Sequence, residues 1–478
     1  MSAGRRSREN GRRAAVTGVL DASQAAHPAP VFGLDPEWLL HQGRPLATAT
    51  VLSHPEQLRR LRAACPEAAP TAVLAGDPCY DRILEALPQR DRFRRAFGVT
   101  PGQRLVILNS TWAPRALFGD EREGGDGDRL PWLLSKLTSE LPADEYRTVA
   151  VLHPNIWYGH GPGQVRAWLE RARRAGLTLA DPLEDWRQAL IAADCVIGDH
   201  GSVTYYAAAI GRPVLLASFP EADLDPDSPV AALGRTAPHL RASDDLRHRI
   251  AEVIESHDPG AYAVLGELTS STPGRSAALL RNVLYRIMDL PEPPARPALL
   301  DRLRLPAHQP AVRTAPVRVL TRVLRTDRPE VAVTRYTDPA YEPEDPYADA
   351  AHTAVHEDTS DASLLGTADV ILRAGDPDDP RLGPPATWAA ETARLHPHCG
   401  LAAYLTAPDQ GTVRTRDGDL LRLTAAPGAD GRPDLCDPAA YASALYAWLN
   451  EGYGVPCELT VVTGAVRHRV AVERVQGC

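Results

Sequence analysis

Short apolar runs alternate along the first two thirds of the chain with stretches whose apolar positions recur every three or four residues. The runs are TAVLAG (71–76), RLVILNS (104–110), YRTVAVLH (146–153), LTLA (177–180), DCVIG (194–198) and PVLLAS (213–218). Between and after them, helical periodicity covers 79–97, with a break near Pro88, and then 129–140, 163–175, 184–192, 202–210, 243–256 and 275–289. A strand that is apolar throughout has both faces covered. Strands alternating with helices build βαβ units and a parallel sheet. The pattern therefore predicts an α/β fold over 71–290, a doubly wound parallel sheet. Ligands in such sheets sit at the carboxyl ends of the strands, so the loops after the strands are where chemistry is expected.

Beyond 290 the pattern changes. Proline density (PEPPARPALL, RLPAHQPAVRTAP) and a following acidic stretch read as a linker over 291–363, with one strand at VAVTRY (331–336). Proline cannot continue a helix interior or a central strand. Residues 364–478 read as a smaller α+β domain. It has a strand at ADVILRA, helices at 386–395 and 438–450, strands near 401–407 and 411–425, and a closing hairpin of ELTVVTG and HRVAVERV. Residues 1–30 read as a basic, disordered tail.

Composition narrows the function classes. Among 478 residues, 52 are Lys or Arg and 61 Asp or Glu, a net charge of −9, so no basic footprint points to nucleic acid. Proline numbers 44, and Lys136 is the one lysine, an Arg-for-Lys bias of GC-rich coding. Seven cysteines without a C-x-x-C pair indicate neither a disulfide framework nor a zinc ribbon, and fit a reducing cytoplasm. No apolar run reaches the ~18 residues of a membrane span. His396-Pro397-His398-Cys399 is half a metal site with no second cluster, so no metal is expected. No P-loop and no G-x-S-x-G elbow occurs, and no cofactor is expected.

The densest chemistry lies in ADCVIGDHGSVTYYAAAIGRPVLLAS (193–218). A buried strand ends at Asp199-His200-Gly201-Ser202 and a helix follows at once. Gly201 permits close backbone approach, Ser202 can cap the helix, and a helix N-terminus lined by small residues is an anion site. Capping and turning alone is the competing reading of Asp199, Gly201 and Ser202.

This segment resembles the donor-site loop of the GT-B superfamily, above all the CDP-glycerol glycerophosphotransferases, with their Asp-Tyr-Ser-Ser-type loop. Asp199 matches the Asp, His200 stands for the aromatic, Gly201 for the first Ser, and Ser202 matches the second. UDP-N-acetylglucosamine 2-epimerases carry a comparable loop. AGDPCYDRIL (75–84) is similar to the Gly-x-Pro-Arg-x-Asp segment, with Asp77 in the middle place, Cys79 for Arg, and Asp81 retained. LHPN (152–155) matches the His-Pro of those families.

The resemblance covers about 71–290 and implies a Rossmann-like, nucleotide-donor-binding half. It makes 31–70 a remnant of an N-terminal domain, since about 70 residues precede the match and none carries the His-Gly motif of that half. It further implies a bacterial transferase of a nucleotide-activated polyol phosphate or sugar, CDP- or UDP-linked, with unknown acceptor. Gly201, Ser202 and Thr204, with Asp199, would hold donor phosphates. Asn109, Ser110 and Thr111 would line the same cleft. His153 and Arg115 would neutralise charge on the leaving phosphate, and His153 and His200 are the candidate catalytic residues. Asp77, Trp112 and His160 are further cleft candidates, His160 on GHGPGQ (159–164), read as a flexible loop over the mouth. Two alternatives stand beside the transferase: a non-catalytic nucleotide- or partner-binding module, and a UDP-sugar 2-epimerase-like enzyme.

Overall fold

The computed structural model describes residues 33–119, 129–294, 296–308, 313–338, 341, 348–427, 431 and 436–475; the basic tail lies outside them. The described chain opens with α1 (Pro36–Leu39), β1 (Leu40–His41), β2 (Arg44–Pro45), β3 (Thr50–Leu52), α2 (Pro55–Ala64) and β4 (Ala72–Leu74). β3 and β4 pair in parallel around α2, a single βαβ unit. Its small core is Leu34, Leu52, Leu61, Cys65 and Ala68.

The α/β region follows: α3 (Pro78–Ala86), α4 (Arg90–Ala96), β5 (Arg104–Ser110), α5 (Arg129–Ser139), β6 (Tyr146–Leu152), α6 (Pro154–His160), α7 (Pro162–Trp168), α8 (Glu170–Arg174) and β7 (Thr178–Leu179). Then come α9 (Trp186–Ala192), β8 (Cys195–Gly198), α10 (Ser202–Ala209), β9 (Val214–Leu216), α11 (Pro229–Thr236), α12 (Leu246–Glu255), α13 (Ala263–Thr269) and α14 (Ser276–Ile287). The five strands pair in parallel in the order β7-β6-β5-β8-β9. Apolar side chains fill both faces, Leu105, Ile107 and Val196 on one and Val106, Leu108 and Ile197 on the other. This is the doubly wound sheet that the apolar runs predict. A short 3₁₀ turn around Pro88 separates α3 from α4, where the break was expected. Residues 159–164 differ from expectation: instead of a loop they hold the end of α6 and the start of α7, broken only at Gly161, whose φ of +88° ends α6, while the helix expected over 163–175 is split into α7 and α8.

The C-terminal region is a closed barrel, not an α+β domain. Its elements are β10 (Val317–Arg325), β11 (Glu330–Tyr336), β12 (Ala350–His356), β13 (Val370–Ala374), α15 (Pro385–Leu395), β14 (Leu401–Ala407), β15 (Gln410–Thr415), β16 (Leu420–Ala425), α16 (Pro438–Asn450), β17 (Glu458–Thr463) and β18 (Val466–Arg474). The ring runs β10-β11-β17-β18-β16-β15-β14-β13-β12 and closes on β10. Inward residues from all nine strands share one core with α16. The helix therefore threads the barrel. About eight strands enclose just enough room for side chains, and α16 is slim, with alanine at 439, 440, 442, 444 and 447. A helix apolar all round is a buried helix. β10, β11 and β12 all occupy the stretch read as linker over 291–363. The described prolines there fall mostly outside the strands, at 291–306, while VRVLTRVLR alternates and pairs with EVAVTRY. α15 packs outside through Trp388 and Ala389.

Arg335 ties barrel to sheet. It donates to Asp144, in the turn before β6, at 2.8 and 2.5 Å, and to Asp437, the N-cap of α16, at 2.8 Å. Among the described residues no helix is long and apolar enough to cross a membrane.

Candidate functional site

The strand order reverses between β5 and β8, with β6 on one side and β9 on the other. In open parallel sheets such a switch point is where a ligand crevice lies, at the carboxyl ends of the strands. The loops after β5, β6 and β8 meet there.

Asp199 organises the crevice. It is fully buried. Its Oδ2 accepts from Thr111 N at 2.9 Å, Leu117 N at 3.1 Å and Ser110 Oγ at 3.1 Å, and its Oδ1 from Gly201 N at 3.0 Å. A buried carboxylate so surrounded is engaged within the protein on both oxygens. Asp199 positions the two loops. Ser110 is likewise buried and accepts Phe118 N at 2.8 Å, folding 111–118 back over the sheet. Asn109 Nδ2 donates to Thr204 Oγ1 at 2.8 Å, both side chains buried. This pair clamps β5 to α10, and Gly198 makes room for it, since a Cβ there would lie 2.3 Å from Thr204 Oγ1. Asn109, Ser110, Asp199 and Thr204 are thus the frame of the site.

What faces outward is narrower. Gly201 is the N-cap of α10 and Ser202, exposed, its first residue, so the expected Ser202 cap does not form and no described side chain caps the helix. A Cβ on Gly201 would come within 2.9 Å of Thr111 Cβ and 3.0 Å of Asp199 Oδ1. The close approach expected at this glycine is therefore to the protein's own loop. Thr111 is half-buried and Trp112 is exposed beside it. His153 caps α6, its Nδ1 accepting from Asn155 N at 3.1 Å, which leaves Nε2 to carry the proton of the neutral ring. Its ring centroid lies 6.3 Å from that of Trp112. Burial pushes the His153 pKa down, and the Asp199 carboxylate partly restores it. His200 has a buried Nδ1 with no hydrogen-bond partner among the described residues. Burial pushes its pKa down as well, against Asp199 and Asp223. A neutral imidazole at the crevice can accept or pass a proton.

The remaining candidates scatter. Arg115 is exposed and pairs with Asp223 at 2.9 Å, while its carbonyl accepts from Ser218 Oγ at 2.7 Å. His160 packs edge-on against Trp168, centroids 5.0 Å apart, with Phe118 alongside. Asp77 lies away from the crevice. It caps α3 through Cys79 N and Tyr80 N and accepts Tyr206 Oη at 2.6 Å, halfway along α10. Asp81, the residue retained from the same segment, is buried and accepts Ser276 N and Gly274 N, joining α3 to α14. Sequence reading missed the backbone N–H groups of Leu117 and Phe118, the Ser218 hydroxyl and Asp223. None of these is marked by a motif, because each enters through loop closure.

No family model matches the chain, and no curated protein matches it. Among solved structures, the wall teichoic acid polymerase TagF is 12% identical over 51% of this chain and 58% of its own, with a TM-score of 0.35. UDP-GlcNAc 2-epimerase from Neisseria meningitidis, bound to UDP-GlcNAc, is 14% identical over 50% of this chain and 62% of its own, at 0.32. The Anabaena protein HepE, in complex with UDP and glucose, is 14% identical over 51% of this chain and 64% of its own, at 0.29. These neighbours have GT-B-type folds. The matches span about half of this chain and less than two thirds of each of those proteins.

Proposed function

We propose that the chain binds a nucleotide-activated small molecule, CDP- or UDP-linked, at the switch point of its parallel sheet. We further propose that it acts there as a GT-B-like transferase of a polyol phosphate or sugar. The observation that carries this reading is the meeting of the α10 N-terminus, where Gly201 is buried and Ser202 exposed, with His153 and His200 at the carboxyl ends of the strands. The free N–H groups and positive dipole end of a helix attract phosphate. Two imidazoles kept neutral by burial suit a proton transfer near neutral pH. The Asp-x-x-Ser loop (Asp199 to Ser202) and the LHPN segment support the same superfamily by resemblance.

A second reading, binding without turnover, draws on one observation. Four residues expected to serve the donor, Asn109, Ser110, Asp199 and Thr204, are engaged within the protein. Thermal-shift titration with CDP, UDP and ADP and their glycerol and sugar conjugates tests the site itself. A ligand at 100 times its Kd adds about 2.7 kcal/mol to the folded state. No shift with any of them rejects both readings. A shift with the cytidine or uridine series, lost in Ser202→Pro and His200→Ala, supports the site. Release of the free nucleotide on incubation then separates transferase from binding module.

A further inference from the structure

We infer that Arg129, rather than Arg115, is the cation that meets the ligand's anionic group; this rests on the binding reading above. α5 begins at Arg129. The first turn of a helix is the positive end of its dipole, where an arginine is unfavourable. The side chain is half-buried, and Nη1 donates to the Ala217 carbonyl at 3.1 Å. Ala217 follows β9, and its own N–H donates to Gly198 O, the last residue of β8, at 2.8 Å. The guanidinium is thus fastened at the carboxyl ends of β8 and β9, beside the strand end that leads into His200 and Gly201.

Among the described residues Arg129 makes no ion pair. One of its five N–H donors is used on a main-chain carbonyl, and among the described residues no other acceptor meets the rest of the planar fork. A phosphate or diphosphate matches such a fork in charge and geometry. Arg115 differs in each respect. Its side chain is more than half exposed, and its guanidinium is already paired with Asp223. An exposed pair of this kind is weak and not preorganised. Arg129 is the cation already held in place before a ligand arrives.

Isothermal titration at fixed, low salt decides this, with CDP and inorganic pyrophosphate as probes for the wild type, Arg129→Gln, Arg129→Ala and Arg115→Gln. Losing a charge-assisted contact should weaken CDP by about tenfold or more in Arg129→Gln. Arg115→Gln should stay within about threefold of the wild type. Pyrophosphate should follow the same ranking, because the contact is to phosphate and not to base. Wild-type affinity in Arg129→Gln, with the wild type binding, overturns the role of Arg129 and leaves the binding reading intact. Failure of the wild type to bind either probe overturns both. Arg129→Ala gives the answer if Arg129→Gln does not fold, as judged by its thermal melt.

Discussion

Four donors converge on one carboxylate at Asp199, and three of them are backbone N–H groups of Thr111, Leu117 and Gly201. Replacing Asp199 by Ala strands those groups in the interior, each a desolvated donor without an acceptor. At about 1–3 kcal/mol apiece the loss should come to about 3–5 kcal/mol, after partial relaxation. Urea unfolding at unchanged m-value reads it directly, and an unmoved midpoint would mean that the loops hold without the bond. Asp199→Asn keeps the volume and one oxygen but turns an NH2 toward an N–H, so its cost should be intermediate. Gly201 gives a finer test. Its φ of −74° is open to any residue, so no backbone strain enters. Only the added methyl matters, against Thr111 and Asp199 at 2.9 and 3.0 Å. Gly201→Ala should cost about 1–3 kcal/mol of stability and push the β5 loop away from α10. CDP binding should weaken with it, measured by the same titration as the wild type.

Strands β5, β6 and β8 were legible in the sequence because a buried parallel strand is a continuous apolar run, and RLVIL, TVAVL and CVIG are such runs. That ligands sit at the carboxyl ends of these strands followed from the fold class, but the switch point did not, because it depends on the spatial order β7-β6-β5-β8-β9. The barrel was obscured by proline at 291–306, whose density hides that VRVLTRVLR already alternates with period two, valine inward and arginine outward. α16 carried a signal of its own: PAAYASALYAWLN is apolar around its whole circumference, which a surface helix is not. What the sequence could not show is closure, because β11 pairs with β17 across more than a hundred residues. Two substitutions on α16 test that it fills the barrel. Ala444 has no exposed surface, and Ala444→Leu adds methylenes with nowhere to go, for about 1–3 kcal/mol. Ser443 is equally buried, and its hydroxyl has no partner among the described residues. Ser443→Ala should therefore be neutral or stabilising in the same denaturation assay, where an exposed helix face would tolerate both changes alike.

Barrel and sheet are held together by a nearly buried ion cluster. Arg335 and Asp144 are 3% and 4% exposed, and Asp437 shares the same guanidinium. Burial alone would lower the Arg335 pKa, but Asp144 and Asp437 hold it well above the ordinary value, while the arginines hold Asp437 down. Arg335→Met leaves Asp144 without its cation and should cost about 3–5 kcal/mol. A second chain-wide response comes from histidine. His352 is buried inside the barrel beside Tyr446, with Nε2 unpartnered among the described residues. Burial, helped by Arg318 and opposed by Asp369, pushes its pKa from 6.5 down to about 4. His356, on the same face of β12, is lowered for the same first reason. The unfolded chain binds these protons more readily than the folded one, so stability rises with pH across the window between the two values. Above pH 6.5 no penalty exists. As pH falls toward 4 the penalty from His352 grows to about 3 kcal/mol, at 1.36 kcal/mol per unit. Unfolding free energies at pH 7, 5.5 and 4 should decline accordingly. His352→Phe should flatten that decline, and an equally steep slope in the variant would assign the acid sensitivity to other groups.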